Sequence, residues 1–110
     1  MAKYENIING SVSSFVDYLI RNKERLGASI SLEDYTEVIV NDVEVSHYVF
    51  ERYSYLGKNR VSLSLTLIGY NNQVHISAIT SGGSQAVFLK INTFGENAFL
   101  DKFIDLVNRY

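Results

Sequence analysis

Few residues in this chain are equipped for chemistry. There is no cysteine in its 110 residues, so thiolate nucleophiles, disulfides and cysteine-ligated zinc are excluded. The two histidines, His47 and His75, have no carboxylate at i+4 on a helix and no second histidine at ligand spacing, and no metal or cofactor motif emerges. No Ser-His-Asp arrangement can be argued either. Two features remain: a carboxylate among tyrosines, Glu51-Arg52-Tyr53-Ser54-Tyr55, and a glycine run, Ser81-Gly82-Gly83-Ser84. A carboxylate desolvated among aromatic rings has a raised pKa. Such a group suits a small-ligand pocket or general acid–base work. Consecutive glycine N–H groups can cradle an anion. Here, however, no Lys follows and the next residues read as strand, so the run reads as a hairpin loop.

The rest of the composition sets the frame. Hydrophobic residues make up 46% and charged residues 20%, with a net charge of -2. These are the proportions of one globular domain spanning residues 1–110. The balance argues against a nucleic-acid partner bound by general electrostatics. No leader-like segment opens the chain and no apolar run approaches the ~18 residues of a membrane span. A cytoplasmic protein without membrane or nucleic-acid partners is the expectation.

Two helices must hold the ends. Val12, Phe15, Val16, Leu19, Ile20 and Leu26 recur with helical period behind the serines Ser11, Ser13 and Ser14, with Gly27 as a stop. Phe99, Leu100, Phe103, Ile104, Val107 and Tyr110 make a second stripe, and Thr93 and Glu96 have capping-box spacing just before it. Lys3 to Asn9 can form a short edge strand.

Between the helices, residues 28–92 alternate with period two. Turn signals stand at Asn41-Asp42, Gly57-Lys58-Asn59, Asn71-Asn72 and 81–84. Counting back from each turn predicts an α+β fold: a five-stranded, with Lys3–Asn9 six-stranded, antiparallel meander with both helices on one face. The count puts Ala28, Ile30, Leu32, Val38, Val40, Val43, Val45, Val49, Val61, Leu63, Leu65, Leu67, Val74, Ile76, Ala78, Val87, Leu89 and Ile91 inside. It also puts His47, Glu51, Tyr53, Tyr55 and Thr80 inside, and sends His75 outside. Glu51, Tyr53, Tyr55, Thr80, Gly82 and Gly83 then form the candidate ligand site, suited to a small apolar or amphipathic molecule. The competing reading is that these tyrosines only bond backbone at the mouth of a core.

The outer face is expected to carry Tyr35, Ile39, Tyr48, Phe50, Leu56, Ile68, Tyr70, Ile79 and Phe88. An aromatic and apolar patch facing solvent marks an interaction surface. The expected interface residues are Tyr48, Phe50, Ile68, Tyr70, Ile79 and Phe88. Residues 28–51 hold six acids and no base, and residues 52–95 hold four bases and no acid. Two copies stacked face to face would set acid against base, which points to a homodimer; ion pairing inside one chain would use the same charges. An enzyme would have only Glu51 or Asp34 as acid or base.

The stretches 51–55, Asn59-Arg60-Val61-Ser62-Leu63, 77–88 and Lys90-Ile91-Asn92-Thr93-Phe94-Gly95-Glu96 resemble a small bacterial family known only as a domain of unknown function. The resemblance runs over nearly the whole chain. It implies a small bacterial cytoplasmic protein and brings no activity or ligand. A looser resemblance, to the helix-grip fold of START and Bet v 1-like proteins, implies an antiparallel sheet wrapped on a C-terminal helix around an apolar cavity. Those folds have two helices where this chain has one.

Overall fold

The serine cluster caps a helix as its spacing predicts. In the computed structural model Ser11 Oγ accepts the Ser14 N–H at 3.1 Å and opens α1, Val12–Arg21. Asn22 ends α1, and a 3-10 turn, Lys23–Leu26, carries the same stripe on to Leu26. Gly27 follows at φ 151°, where a side chain would be strained and would press on Arg52. The structure describes residues 1–54, 59–82 and 89–110, with backbone alone for 54, 59 and 89–94.

The strands are β1 (Ala2–Asn9), β2 (Ser31–Val40), β3 (Val43–Ser54), β4 (Asn59–Tyr70) and β5 (Gln73–Gly82), and α2 (Leu89–Asn108) closes the fold. They form one open antiparallel sheet in the order β1-β5-β4-β3-β2. Strands β2 to β5 are the predicted meander, and Lys3–Asn9 lies within the edge strand β1. Asn41, Asn71 and Asn72 take φ values of 55°, 54° and 60°, the left-handed conformation that tight hairpins demand. The chain is α+β, with both helices on one face.

From Leu89 onward, helix stands where the last expected strand would continue. Leu89 and Ile91 belong to α2, while Val87, Phe88, Gly83 and Ser84 lie outside the described residues. Thr93 and Glu96 sit within α2 and do not start it. Alternation of Val87, Leu89 and Ile91 fits a strand, but so short an apolar pattern does not separate a strand from a segment of buried helix.

The faces of β2 and β3 are also exchanged relative to expectation. The predicted three-residue loop at 57–59 pairs Glu51 with Leu65. The observed pairing sets Tyr48 against Leu65, Phe50 against Leu63 and Ser54 against Asn59, with four residues between the strands. One residue of difference in a connection sends every side chain to the other face. The turns at 41–42 and 71–72 pair as predicted, Val40 with Val43 and Tyr70 with Gln73. The β2–β3 hairpin is therefore inverted as a unit against β4 and β5. A bulge between Leu32 and Asp34 shifts the phase again and returns Leu32 to the inner face, beside Phe50.

The centre of the inner face is filled, while Tyr35 and Ile39, expected outside, lie on this face at the β2 edge and stay exposed. Phe15, Leu19 and Leu26 from the N-terminal segment and Phe99, Phe103 and Leu106 from α2 meet Phe50, Leu63, Leu65, Leu67 and Ile76 from the sheet, all buried. Burying each such side chain is worth roughly 1.5–3 kcal/mol. Gly69 permits the closest approach: a Cβ there would lie 2.5 Å from Val12 Cγ2. Tyr18 joins the two helices, donating its hydroxyl to the Leu106 carbonyl at 2.5 Å. The Tyr110 ring closes the end against Phe15 and Tyr18.

Candidate functional site

The strand registers lay out the uncovered face in rows. Asp34, Val49, Ser64, Ile79 and Lys3 lie side by side across the five strands. The next row is Thr36, His47, Thr66, Ser77 and Glu5, and the next is Val38, Val45, Ile68, His75 and Ile7. Directly paired residues share a face, so each row is a line of neighbouring side chains. Hydroxyls and exposed apolar groups alternate across this face. Ile68 and Ile79 are each 39% exposed and Val38 is 50% exposed.

Hydrogen bonds fix the centre. His47 lies between two hydroxyls, with Nδ1 at 3.1 Å from Thr66 Oγ1 and Nε2 at 3.3 Å from Ser64 Oγ. The Ser62 and Ser81 hydroxyls meet at 2.8 Å. Glu51 lies 3.7 Å from the Arg60 guanidinium, both partly exposed. A serine beside a histidine is the start of a nucleophile–base pair. Here the third partner is a threonine and not a carboxylate, and the surrounding N–H groups of β4 are engaged with β3 and β5. Among the described residues, the N–H groups at this point are therefore taken up by the ladder. The arrangement fixes the imidazole and presents a flat polar strip between apolar rows.

A shallow concavity of about 550 Å³ lies on the β1 side of this face, lined by Glu5, Ile7, Thr66, Ile68, His75 and Ser77. His47 and His75 thus share the outer face, contrary to the expectation of opposite faces. His75 pairs with Ile68 as expected, but its other neighbour is Ile7, since Lys90 is in α2. Among the described residues no group of three potential metal ligands occurs.

The predicted ligand site is divided by the sheet. Glu51 and Tyr53 are on the outer face, whereas Thr80 is buried on the inner one. Tyr55 and Gly83 lie outside the described residues. Gly82 ends β5, and its N–H donates to Glu96 Oε1 at 2.7 Å. Thr80 Oγ1 donates to the Glu96 carbonyl at 3.1 Å, and Glu96 Oε2 forms an ion pair with the Met1 amino group at 2.5 Å. Among the described residues the buried carboxylate is Glu96, a joint between β5, α2 and the residue that precedes β1. Its place three residues before Phe99 on the buried stripe was the available signal.

The predicted interface divides as well. Ile68, Tyr70 and Ile79 are exposed on the outer face as expected. Tyr48 and Phe50 point inward and are buried, and Phe88 lies outside the described residues. Tyr48 donates to Glu37 Oε2 at 2.7 Å and stacks on Tyr35 at 5.1 Å. Burial, and then the hydrogen bond to Glu37, push its phenol pKa well above the ordinary range. Arg52 is also turned inward. It donates to the Leu26 carbonyl at 2.5 Å and lies 4.8 Å over the Phe99 ring, and burial lowers its pKa. One base of the expected basic run is thus part of the core wall, not of the outer field.

A family model of unknown function, DUF6054, matches residues 1–110 of this sequence. The chain belongs to that family. No curated protein matches it. Among solved structures, this DUF6054 chain is similar to the Pseudomonas aeruginosa protein PA94, itself of unknown function and described as a candidate regulator. Identity is 13%, the TM-score is 0.45, and the match covers 73% of this chain and 69% of that one. Among the described residues no helix is long and apolar enough to cross a membrane.

Proposed function

We propose that this domain acts by association and not by catalysis, pairing with a second copy of itself through the outer face of the sheet. One observation carries the reading. Ile7, Val38, Val40, Ile68, Tyr70 and Ile79 are 39–58% exposed on a face that neither helix covers. Contiguous apolar surface of this kind is uncommon on a monomer and marks an interface. The size also fits. Five strands spaced about 4.8 Å and ten residues long present roughly 800 Å², the amount one partner contributes to a standard interface.

Native mass spectrometry of the freshly purified chain tests the reading. A dimer with no added mass is expected, and Ile68→Glu is expected to return it to monomer. A bare monomer at about a hundred micromolar, far above a standard-size interface's usual Kd, overturns it. A monomer retaining a small molecule supports instead a ligand-binding module, with the concavity beside His75 as the first place to look.

A further inference from the structure

The strand registers restrict how two such faces can meet, an inference that rests on the self-association reading. Two sheets stacked face to face by closed two-fold symmetry, with strands near-aligned, have their axis in the plane between them. The axis runs either along the strands or across them. The middle strand of the sheet is β4. An axis along β4 keeps each row over the same row of the second copy and reverses the strand order. Asp34 of one copy then stands over Lys3 of the other, Val38 over Ile7, Val49 over Ile79, and Ile68 over its own counterpart.

An axis across the strands reverses the rows instead. Centred on Thr66, it puts Asp34 over Val38 and Lys3 over Ile7. Both charges would lose water and gain no partner, which is strongly unfavourable, and Glu5 would stand over Glu5, whereas about the first axis Glu5 stands over Thr36. Asp34 and Lys3 are exposed, and among the described residues neither forms an ion pair within its own chain. On the midline Arg60 would stand over Arg60 of the second copy, each beside its own Glu51 at 3.7 Å, so that an opposite charge accompanies each like one. Stacked sheets cross at about 30°, which displaces the edges by a distance that the flexible lysine stem spans.

We propose that two copies pair about a two-fold axis along β4, with Asp34 of each copy ion-paired to Lys3 of the other. The complementarity lies within one face and not between the acidic and basic runs of the sequence.

Sedimentation equilibrium on the full chain tests this with Asp34→Lys, Lys3→Asp, the double variant and Ile68→Glu. Each single reversal sets like charges together at two symmetric places. It is expected to raise the dimer Kd roughly tenfold or more, and the double variant to return within about threefold of the starting value. Both positions are exposed, and circular dichroism confirms that each variant folds. If a single reversal has no effect, or the double is no better than the singles, while Ile68→Glu still dissociates the dimer, the axis is wrong and the face reading stands. If the unaltered chain is monomeric throughout, both fall.

Discussion

Neighbouring residues of β3 show the contrast between the two faces. Phe50 points inward and is fully buried between sheet and helices, while Val49 points outward between Asp34 and Ser64. Both are apolar and both favour strands, so composition does not separate them. The inner face takes the large rings and, among the described residues, the buried carboxylate Glu96, which accepts from the Gly82 N–H and pairs with the Met1 amino group. The outer face alternates hydroxyls with exposed aliphatic side chains around His47. On the inner side the helices bury the centre of the sheet, while Tyr35 and Ile39 at the β2 edge stay 56% and 73% exposed. No helix covers the outer side, and that difference locates stability on one face and the proposed association on the other.

The contrast breaks most readily at Phe50. Phe50→Ala is expected to lower unfolding free energy by about 3–5 kcal/mol in urea titration. Val49→Ala, measured under monomeric conditions, is expected to change it by less than about 1 kcal/mol. Equal losses would remove the distinction between the faces. Next in size is Gly69→Ala. With Val12 Cγ2 only 2.5 Å from the new methyl, overpacking is expected to cost about 1–3 kcal/mol. Adding Val12→Ala opens that space, and a double-mutant cycle should show favourable coupling.

A smaller effect sharpens the comparison through pH. The Tyr48 phenol is held neutral by burial and by its bond to Glu37, so its folded pKa lies above the unfolded one. The stability it contributes is complete below an unfolded pKa of about 10 and declines as pH rises past it. Tyr48→Phe is expected to lose about 0.5–1.5 kcal/mol at neutral pH and to flatten the decline above pH ~10. An unchanged alkaline decline would mean that another group causes it. The smallest change is expected at the outer strip, where Ser64→Ala should shift stability by no more than about 0.5 kcal/mol in the same titration.

Much of the fold was legible. The helical stripes, the Ser11 cap, the edge strand at Lys3–Asn9 and the hairpins at 41–42 and 71–72 rest on local periodicity and turn chemistry. The site was much less so. Glu51 and Tyr53 were grouped with Thr80 because one connection was counted as three residues and not four. The error moves the partner of Glu51 by three residues, from Leu65 to Ser62, and because three is odd it reverses every side chain. The bulge at Leu32 and Asp34 left no mark in the residue types either, since Leu32 is apolar in either phase.

The amino-acid sequence by itself determined what each segment is: which residues can form a helix, where the chain turns tightly, and that strands with one apolar face need helices to cover it. Those properties act over a few residues, through backbone sterics and side-chain period. Only the tertiary structure decided which face of β2 and β3 joins the core, that residues from Leu89 onward continue as helix, and that Asp34 and Lys3 end one row. These outcomes depend on register between distant segments. There the alternatives differ by one residue of loop, and the choice falls to packing of Phe50, Leu63 and Phe99 as a whole.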